Sequence, residues 1–301
     1  LELDPKGSLP SGTVRVPGAK TRAGQLESFF IDRNEVTNRE FKEFVDAGGY
    51  RTPTYWPEEF LEDGTVLRWR EAMPRFVDRT GRPGPATWEA GTYPEGRGEH
   101  PVSGVSWYEA AAYAAFRGKV LPTLYHWAVA MGQATTILRY PQLGGFAVFA
   151  PFSNYGGRGT APAGSLRGIT PFGVSDMAGN VREWCFNRTA RGRVVRGGSW
   201  TDTSYMFTVS SQLPAMDRSR QNGFRCALYP DQATIPETAF GPLERLPRTG
   251  PVEHEPVSDE VFRAYRQRFL YDRTDLEARV EARQTVNEYA VHETISLNTA
   301  Y

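Results

Sequence analysis

Thiols and imidazoles are scarce in this chain, and their scarcity removes whole classes of chemistry. Two cysteines, Cys185 and Cys226, cannot build a disulfide framework. Four histidines (His100, His126, His254 and His292) fall at no spacing that clusters ligands for zinc or non-heme iron. Both cysteines are therefore expected as reduced, buried thiols. No run of about 18 apolar residues is present, so no membrane span is expected within the chain. The opening LELDPKGSLPSG lacks the basic start and apolar stretch of a secretory signal, so a signal or span could only lie outside it. Location is left open between cytoplasmic and tethered through such a segment. Acidic and basic residues balance at 35 each, so bulk charge favours neither nucleic acid nor an anionic membrane as partner. G-x-S-x-G, Walker and G-x-G-x-x-G motifs and the H-R-D and D-F-G pair are missing too.

What the chain does have is punctuation. Its 301 residues include 30 glycines and 22 prolines, which leave room for short elements joined by many turns. Two helices stand out. Thr37 with Glu40 makes a capping box ahead of Phe41, Phe44 and Val45, stopped by Gly48 and Gly49, and Ser106 with Glu109 repeats the device before an alanine-rich run ending near Gly118. Residues 51–100 between them are rich in proline. Their spaced aromatics Tyr55, Trp56, Phe60, Trp69, Phe76 and Trp88 predict an ordered insertion pinned to the body. RVVRGGSW reads as a strand meeting a glycine corner.

After FRCALYP the composition shifts. Residues 230–257 read as a proline-rich linker. Ser258 then caps a helix with Asp259 and Glu260 in its first turn and a face of Phe262, Tyr265 and Phe269. Period-two alternation at Leu276, Ala278, Val280 and Ala282, and again from Val291 to Leu297, predicts a terminal hairpin. The organisation expected is thus a tail at 1–10, a main domain at 11–229, the linker, and a helix with strands at 258–301.

The stretch GITPFGVSDMAGNVREW carries the most chemistry. Asp176 and Glu183 are hard oxygen donors separated by a turn through Gly179 and Asn180, which suits a calcium loop of mixed carboxylates and carbonyls. An Asp-capped turn entering a strand with Glu183 exposed is the competing reading. The segment SWTDTSYMFTVSSQ offers aromatic side chains and one carboxylate, Asp202, without a thiol. Asp217, Arg218 and Arg220 in AMDRSRQNGFR read as a structural Asp–Arg pair.

GTAPAGS, PFGVSDMAGNVREW, RVVRGGSW and NGFRCA, preceded by FFIDRNEVTNREF and HPVSGVSWYEAAAYAAFRGKVLPT, occur together in one order. In this the chain resembles the formylglycine-generating enzyme or sulfatase-modifying-factor family over roughly residues 11–229. The resemblance implies an α+β fold, irregular, C-type lectin-like and low in regular secondary structure, with structural calcium. The C-terminal linker, helix and hairpin would be an extension of it. Calcium ligands carry over to Asp176 and Glu183 by side chain and to Gly179 and Val181 by carbonyl. A second family site would fall at Asn154 and Tyr155, but the loop NYGGRGTAPAG is short and has no acid to complete it.

Catalysis carries over poorly. The family oxidises a substrate cysteine to formylglycine through two cysteines that form a copper(I) site, and here the first falls at Asp202 and the second at Met206 or Phe207. Without thiolates copper is not expected. Nothing resembles the histidine triad of the iron-dependent relatives that make carbon–sulfur bonds. The cleft implied by the resemblance is lined by Ser199, Trp200, Asp202, Tyr205, Met206 and Phe207, and either binds a peptide or small ligand or closes by packing on itself.

FVDRTGRPGPATWEAGTYPEG, GKVLPTLYHW, REWCFN and SYMFTVSSQLPAMDRS further resemble the variant of this family found in bacteria between a serine/threonine kinase and an α/β-hydrolase. Covalently linked kinase and hydrolase domains are accordingly expected outside the chain. The favoured function is a non-catalytic module of a multidomain signalling protein. An oxidoreductase with an altered site is the alternative, and a ligand-binding protein diversified by a retroelement a minor one.

Overall fold

The computed structural model describes residues 9–57, 59–132, 152–243, 257–267, 277–287 and 290–298. The expected tail at 1–10 falls mostly outside these residues, as do Phe269 and Leu276. Two compact units are present, Leu1–Arg248 and Thr249–Tyr301.

In the first unit the two ends of the body are stitched together. Strand β1 (Thr13–Val16) runs antiparallel to β4 (Phe29–Asp32), whose other edge pairs with β11 (Ala227–Leu228), so Ile31 lies between Val14 and Ala227. A small hairpin, β2 (Ala19–Thr21) and β3 (Gly24–Leu26), connects β1 to β4. The second sheet follows the order β10-β7-β8-β9. Its members are β7 (Arg182–Thr189), β8 (Gly192–Arg196), β9 (Ser211–Leu213) and the two-residue β10 (Asn222–Gly223), which lies parallel to β7.

Both expected helices form for the expected reasons. In α1 (Asn38–Asp46) Thr37 Oγ1 accepts from the Glu40 amide while Glu40 Oε2 accepts from the Thr37 amide at 2.8 Å, a closed capping box. Gly48 takes a left-handed φ of 80° at its end, and a side chain at Gly49 would collide with the ring of Phe44. In α2 (Trp107–Phe116) Ser106 and Glu109 make the same box, and Ala110, Ala112 and Ala114 are buried where the helix packs closely. A third helix, α3 (Leu124–Ala130), starts at the cap Thr123.

The insertion is ordered as its aromatics predict. Phe60, Phe76 and Trp88 are completely buried and Trp56 nearly so, in one cluster with Phe41 and Phe44 of α1 and Tyr108 and Tyr113 of α2. Two of its buried indoles find acceptors: Trp56 Nε1 donates to the Gly49 carbonyl at 2.9 Å and Trp88 Nε1 to Asn38 Oδ1 at 2.8 Å, whereas Trp69 Nε1 is buried without one. The hairpin β5 (Phe60–Glu62) and β6 (Thr65–Leu67) is its only regular piece besides single helical turns among the described residues.

Within the stretch read as a linker, residues up to Leu243 pack on the body. Asp231 caps a turn at Gln232–Thr234, a single helical turn follows at Glu237–Phe240, and Ile235, Ala239 and Leu243 are buried at intervals of four. Asn187 Nδ2 donates to the Ala239 carbonyl at 2.8 Å and Thr238 Oγ1 to that of Ala23 at 2.6 Å. The second unit contains α4 (Asp259–Gln267) and the antiparallel hairpin β12 (Arg279–Asn287) and β13 (Ala290–Ser296). Phe262, Tyr265, Val280 and Ile295 are all exposed there. No described helix is long and apolar enough to cross a membrane.

His126 gives the body a pH dependence. Its ring is wedged between Phe29 and Tyr229, with centroids at 4.7 and 4.4 Å, and burial pushes its pKa down to about 4. The unfolded chain therefore takes the proton first. Stability is expected to fall as pH drops from about 6.5 toward 4, by up to about 1.4 kcal/mol per unit. Urea titrations at pH 7 and pH 5 check this, and His126→Gln should flatten the slope.

Candidate functional site

Three left-handed residues within five positions shape the loop between β7 and the chain before it: Asp176 (φ 57°), Gly179 (φ 80°) and Asn180 (φ 60°). Gly179 has no alternative, because a Cβ there would stand 2.6 Å from the Asn154 carbonyl oxygen. Asn180 is the tie-point. Its Oδ1 accepts from the Ala161 amide at 2.8 Å and from Asn154 Nδ2 at 3.1 Å, and its Nδ2 donates to Glu35 Oε2 at 2.6 Å.

Beneath the loop lie three buried carboxylates and one guanidinium. Glu183 accepts Arg225 Nη2 on Oε1 at 2.6 Å, and both Arg225 Nε and Trp127 Nε1 on Oε2 at 2.7 Å. Arg225 spends its remaining N–H groups on the carbonyls of Asp32, Arg33 and Ser175. Neither Glu183 nor Arg225 is exposed at all. The reading of Glu183 as an exposed strand residue therefore fails. Glu35 accepts from the Val181 amide and from Asn180, and Asp176 Oδ2 accepts from the Gly164 amide at 2.5 Å. Asp176 Oδ1 is buried with no partner.

One guanidinium does not balance three carboxylates. Burial first, then the charges of Asp176 and Glu183, hold the Glu35 carboxyl well above its ordinary pKa. Burial raises that of Asp176 as well, against the Gly164 hydrogen bond and Arg225. Of the ligands the resemblance implies, Asp176 offers an open oxygen, while Glu183 is already shared between Arg225 and Trp127. A hard divalent cation fits the surplus charge and the orphaned oxygen at Asp176. No group of three or more His, Cys, Asp or Glu side chains is arranged around one metal position among the described residues. Asn154 and Tyr155, read as a second site, are engaged as neutral clips: Asn154 Nδ2 donates to the Gly159 carbonyl and Tyr155 Oη to that of Gly197.

The cleft residues follow a double-glycine corner at Gly197 and Gly198, with φ of 89° and 72°. Asp202, where the resemblance would put a family cysteine, is locked in place. Arg182 grips it as a fork, Nε to Oδ2 at 2.9 Å and Nη2 to Oδ1 at 2.6 Å, and Ser199 donates through both its amide and Oγ at 2.8 Å. Burial works to raise the Asp202 pKa, but the bonds from Arg182 and Ser199 prevail and hold it below the usual carboxylate range. Trp200 lies under the Arg220 guanidinium at 4.9 Å. Phe207 is wholly buried in the core, whereas Tyr205 on the same helical turn (Ser204–Thr208) is exposed. The structure thus brings Ser199 and Asp202 into one network, sends Phe207 inward, and leaves Tyr205 on the surface.

Both cysteines are free and buried, and burial is the largest of the effects pushing their pKa values up. Burial thus favours the thiol over the thiolate at both. Arg218 and Asp217 do not pair with each other as their sequence proximity suggests. Asp217 Oδ1 accepts from Ser219 and Asn222, and Arg218 crosses to Glu109. Sequence reading singled out neither Glu35 nor Arg225, although both stand inside recognised motifs, FFIDRNEVTNREF and NGFRCA.

Short strands, capped helices and long loops make the class an irregular α+β domain. The chain belongs to the family of the sulfatase-modifying factor enzyme 1-like domain, whose model matches residues 5–229. Serine/threonine-protein kinase pkn1 of Chlamydia caviae is 32% identical over 231 residues, covering 67% of this chain and 33% of the kinase. The formylglycine-generating enzyme of Thermomonospora curvata is 29% identical, over 74% of this chain and 93% of the enzyme. The crystal structure of CarF superposes with a TM-score of 0.52 at 22% identity, covering 74% of this chain and 99% of that one, a likeness of fold. The chain spans about a third of the length of the kinase relatives it matches.

Proposed function

We propose that the body of this chain is a non-catalytic sulfatase-modifying-factor-like module of a kinase-linked polypeptide, binding a peptide, small ligand or partner domain at the surface that Tyr205 exposes beside the buried Trp200. The observation that carries this reading is the fate of Asp202. Where the family's chemistry calls for a metal-binding thiolate, a carboxylate is committed to Arg182 and Ser199, and the two available thiols are sealed in the core. Soft copper(I) finds no thiolate here, only the thioether of Met206. The match to a kinase relative supports the linked architecture.

The test is an aldehyde assay: the protein is incubated with copper(I), oxygen and a cysteine peptide, and the peptide is weighed by mass spectrometry beside an active family enzyme. No formylglycine is the expected result. Aldehyde that disappears in Asp202→Asn would establish the altered-oxidoreductase reading instead.

Structural calcium at Asp176 belongs to the same proposal, supported by the unpartnered Oδ1 and the surplus buried charge. Bound calcium would supply the missing positive charge, with Asp176 and nearby carbonyls holding it. Calcium is expected to raise the melting temperature of the parent protein, and Asp176→Asn to abolish that gain. Identical melting in calcium and in chelator would remove the claim. Glu183 is the wrong residue for this test, since its loss also strands Arg225.

A further inference from the structure

A cavity of about 560 Å³ opens beside α1, formed by β4, the start of α1, the end of α2 and the turn at Ala163. None of the cleft residues around Asp202 lines it. Its volume is in the range of small-ligand sites.

The charges on its walls are unequal. Three cations line it and each is matched: Arg39 to Glu99, Arg117 to Glu43 and Lys119 to Asp32, all at 2.5 Å. Two further carboxylates, Glu35 and Glu40, line it without an ion pair from any of these cations. Glu40 accepts from the amide and hydroxyl of Thr37, and Glu35 from Asn180 and Val181, all neutral donors. Glu35 is only 1% exposed, so its carboxylate sits where water compensates it least. Asn34 lines the same cavity, and its Oδ1 is buried with no hydrogen-bond partner. The cavity thus holds five carboxyl groups against three cations. The aromatic wall agrees, for Tyr113 already carries the Arg117 guanidinium over its ring at 5.4 Å.

We propose that this cavity binds an organic cation, a guanidinium or primary ammonium group, either as a free small molecule or as a side chain of a peptide. Such a group supplies the positive charge that the neutral donors to Glu35 and Glu40 do not, and the planar fork of a guanidinium suits a carboxylate. The half-exposed Arg39–Glu99 and Arg117–Glu43 pairs form the rim that the guest must pass.

Calorimetric titration of the full chain with argininamide and with N-acetyl-Gly-Arg-Gly-amide tests this, with N-acetylglycine as the anionic control. Saturable binding of a guanidinium ligand but not of the anion is expected; preference between the first two ligands tells free molecule from peptide. Affinity should fall about tenfold or more in Glu35→Gln. Because that variant removes a buried group and can fail to fold, the rim variant Glu43→Gln/Glu99→Gln provides the second arm, with the same expected loss. Absence of saturable guanidinium binding at millimolar concentration overturns the proposal, as does affinity unchanged in the rim variant or equal affinity for the anion.

Discussion

Arg225→Met is expected to cost this protein about 3–5 kcal/mol, the range for breaking a fully buried ion pair by removing one partner. The charge left behind is the reason. Glu183 would keep Trp127 as its single donor, in a site already crowded by Glu35 and Asp176, with no exposure through which water could compensate. The carbonyls of Asp32, Arg33 and Ser175 would lose their donor as well. Lysine should not rescue, because an ammonium offers three donors from one point where the guanidinium reaches in several directions. Urea denaturation reads the effect, and a loss below about 1 kcal/mol would show that the cluster tolerates its unmatched charge. The double variant Glu183→Gln/Arg225→Met should lose less than the two single losses combined, since neither partner is then stranded as a charge.

That cluster also marks the limit of sequence reading. Capping boxes span four residues, so α1 and α2 could be placed from Thr37, Glu40, Ser106 and Glu109 alone, and alternation placed β12 and β13. The aromatics of the insertion were legible because large rings in a proline-rich stretch gain by burial, and Trp56, Phe60, Phe76 and Trp88 are the ones buried. Arg225 and Glu183, by contrast, stand 42 residues apart, and nothing local pairs them. The same holds for the stitching of β11 onto β4 and for the parallel contact of Asn222 and Gly223 with β7. In the stretch beyond residue 230, proline content hid a signal that was present: Ile235, Ala239 and Leu243 recur every fourth position and are the residues that pack. At the cleft, the loss of thiols was visible in the sequence, but the neutralisation of Asp202 by Arg182 was not, because it depends on the start of β7 meeting the turn after the glycine corner.

Arg218→Ala is the second large effect, expected to destabilise the protein by about 3–5 kcal/mol and to loosen residues 51–100 first. Arg218 is the bolt between the insertion and the body. Its Nε and Nη2 both reach Glu109 at 2.9 Å, and its other N–H groups hold the carbonyls of Arg75, Val77 and Gly84 in the insertion. Glu109 is itself fully buried, caps α2, and accepts from Tyr50 Oη at 2.7 Å. Removing Arg218 therefore releases three insertion carbonyls and leaves a buried carboxylate with neutral donors only. Amide exchange over Phe76–Trp88 should rise well before exchange in β7 and β8. Uniform acceleration across the chain would mean that the insertion and the body unfold as one unit, in which case Arg218 fastens a single cooperative core and not a separable insertion.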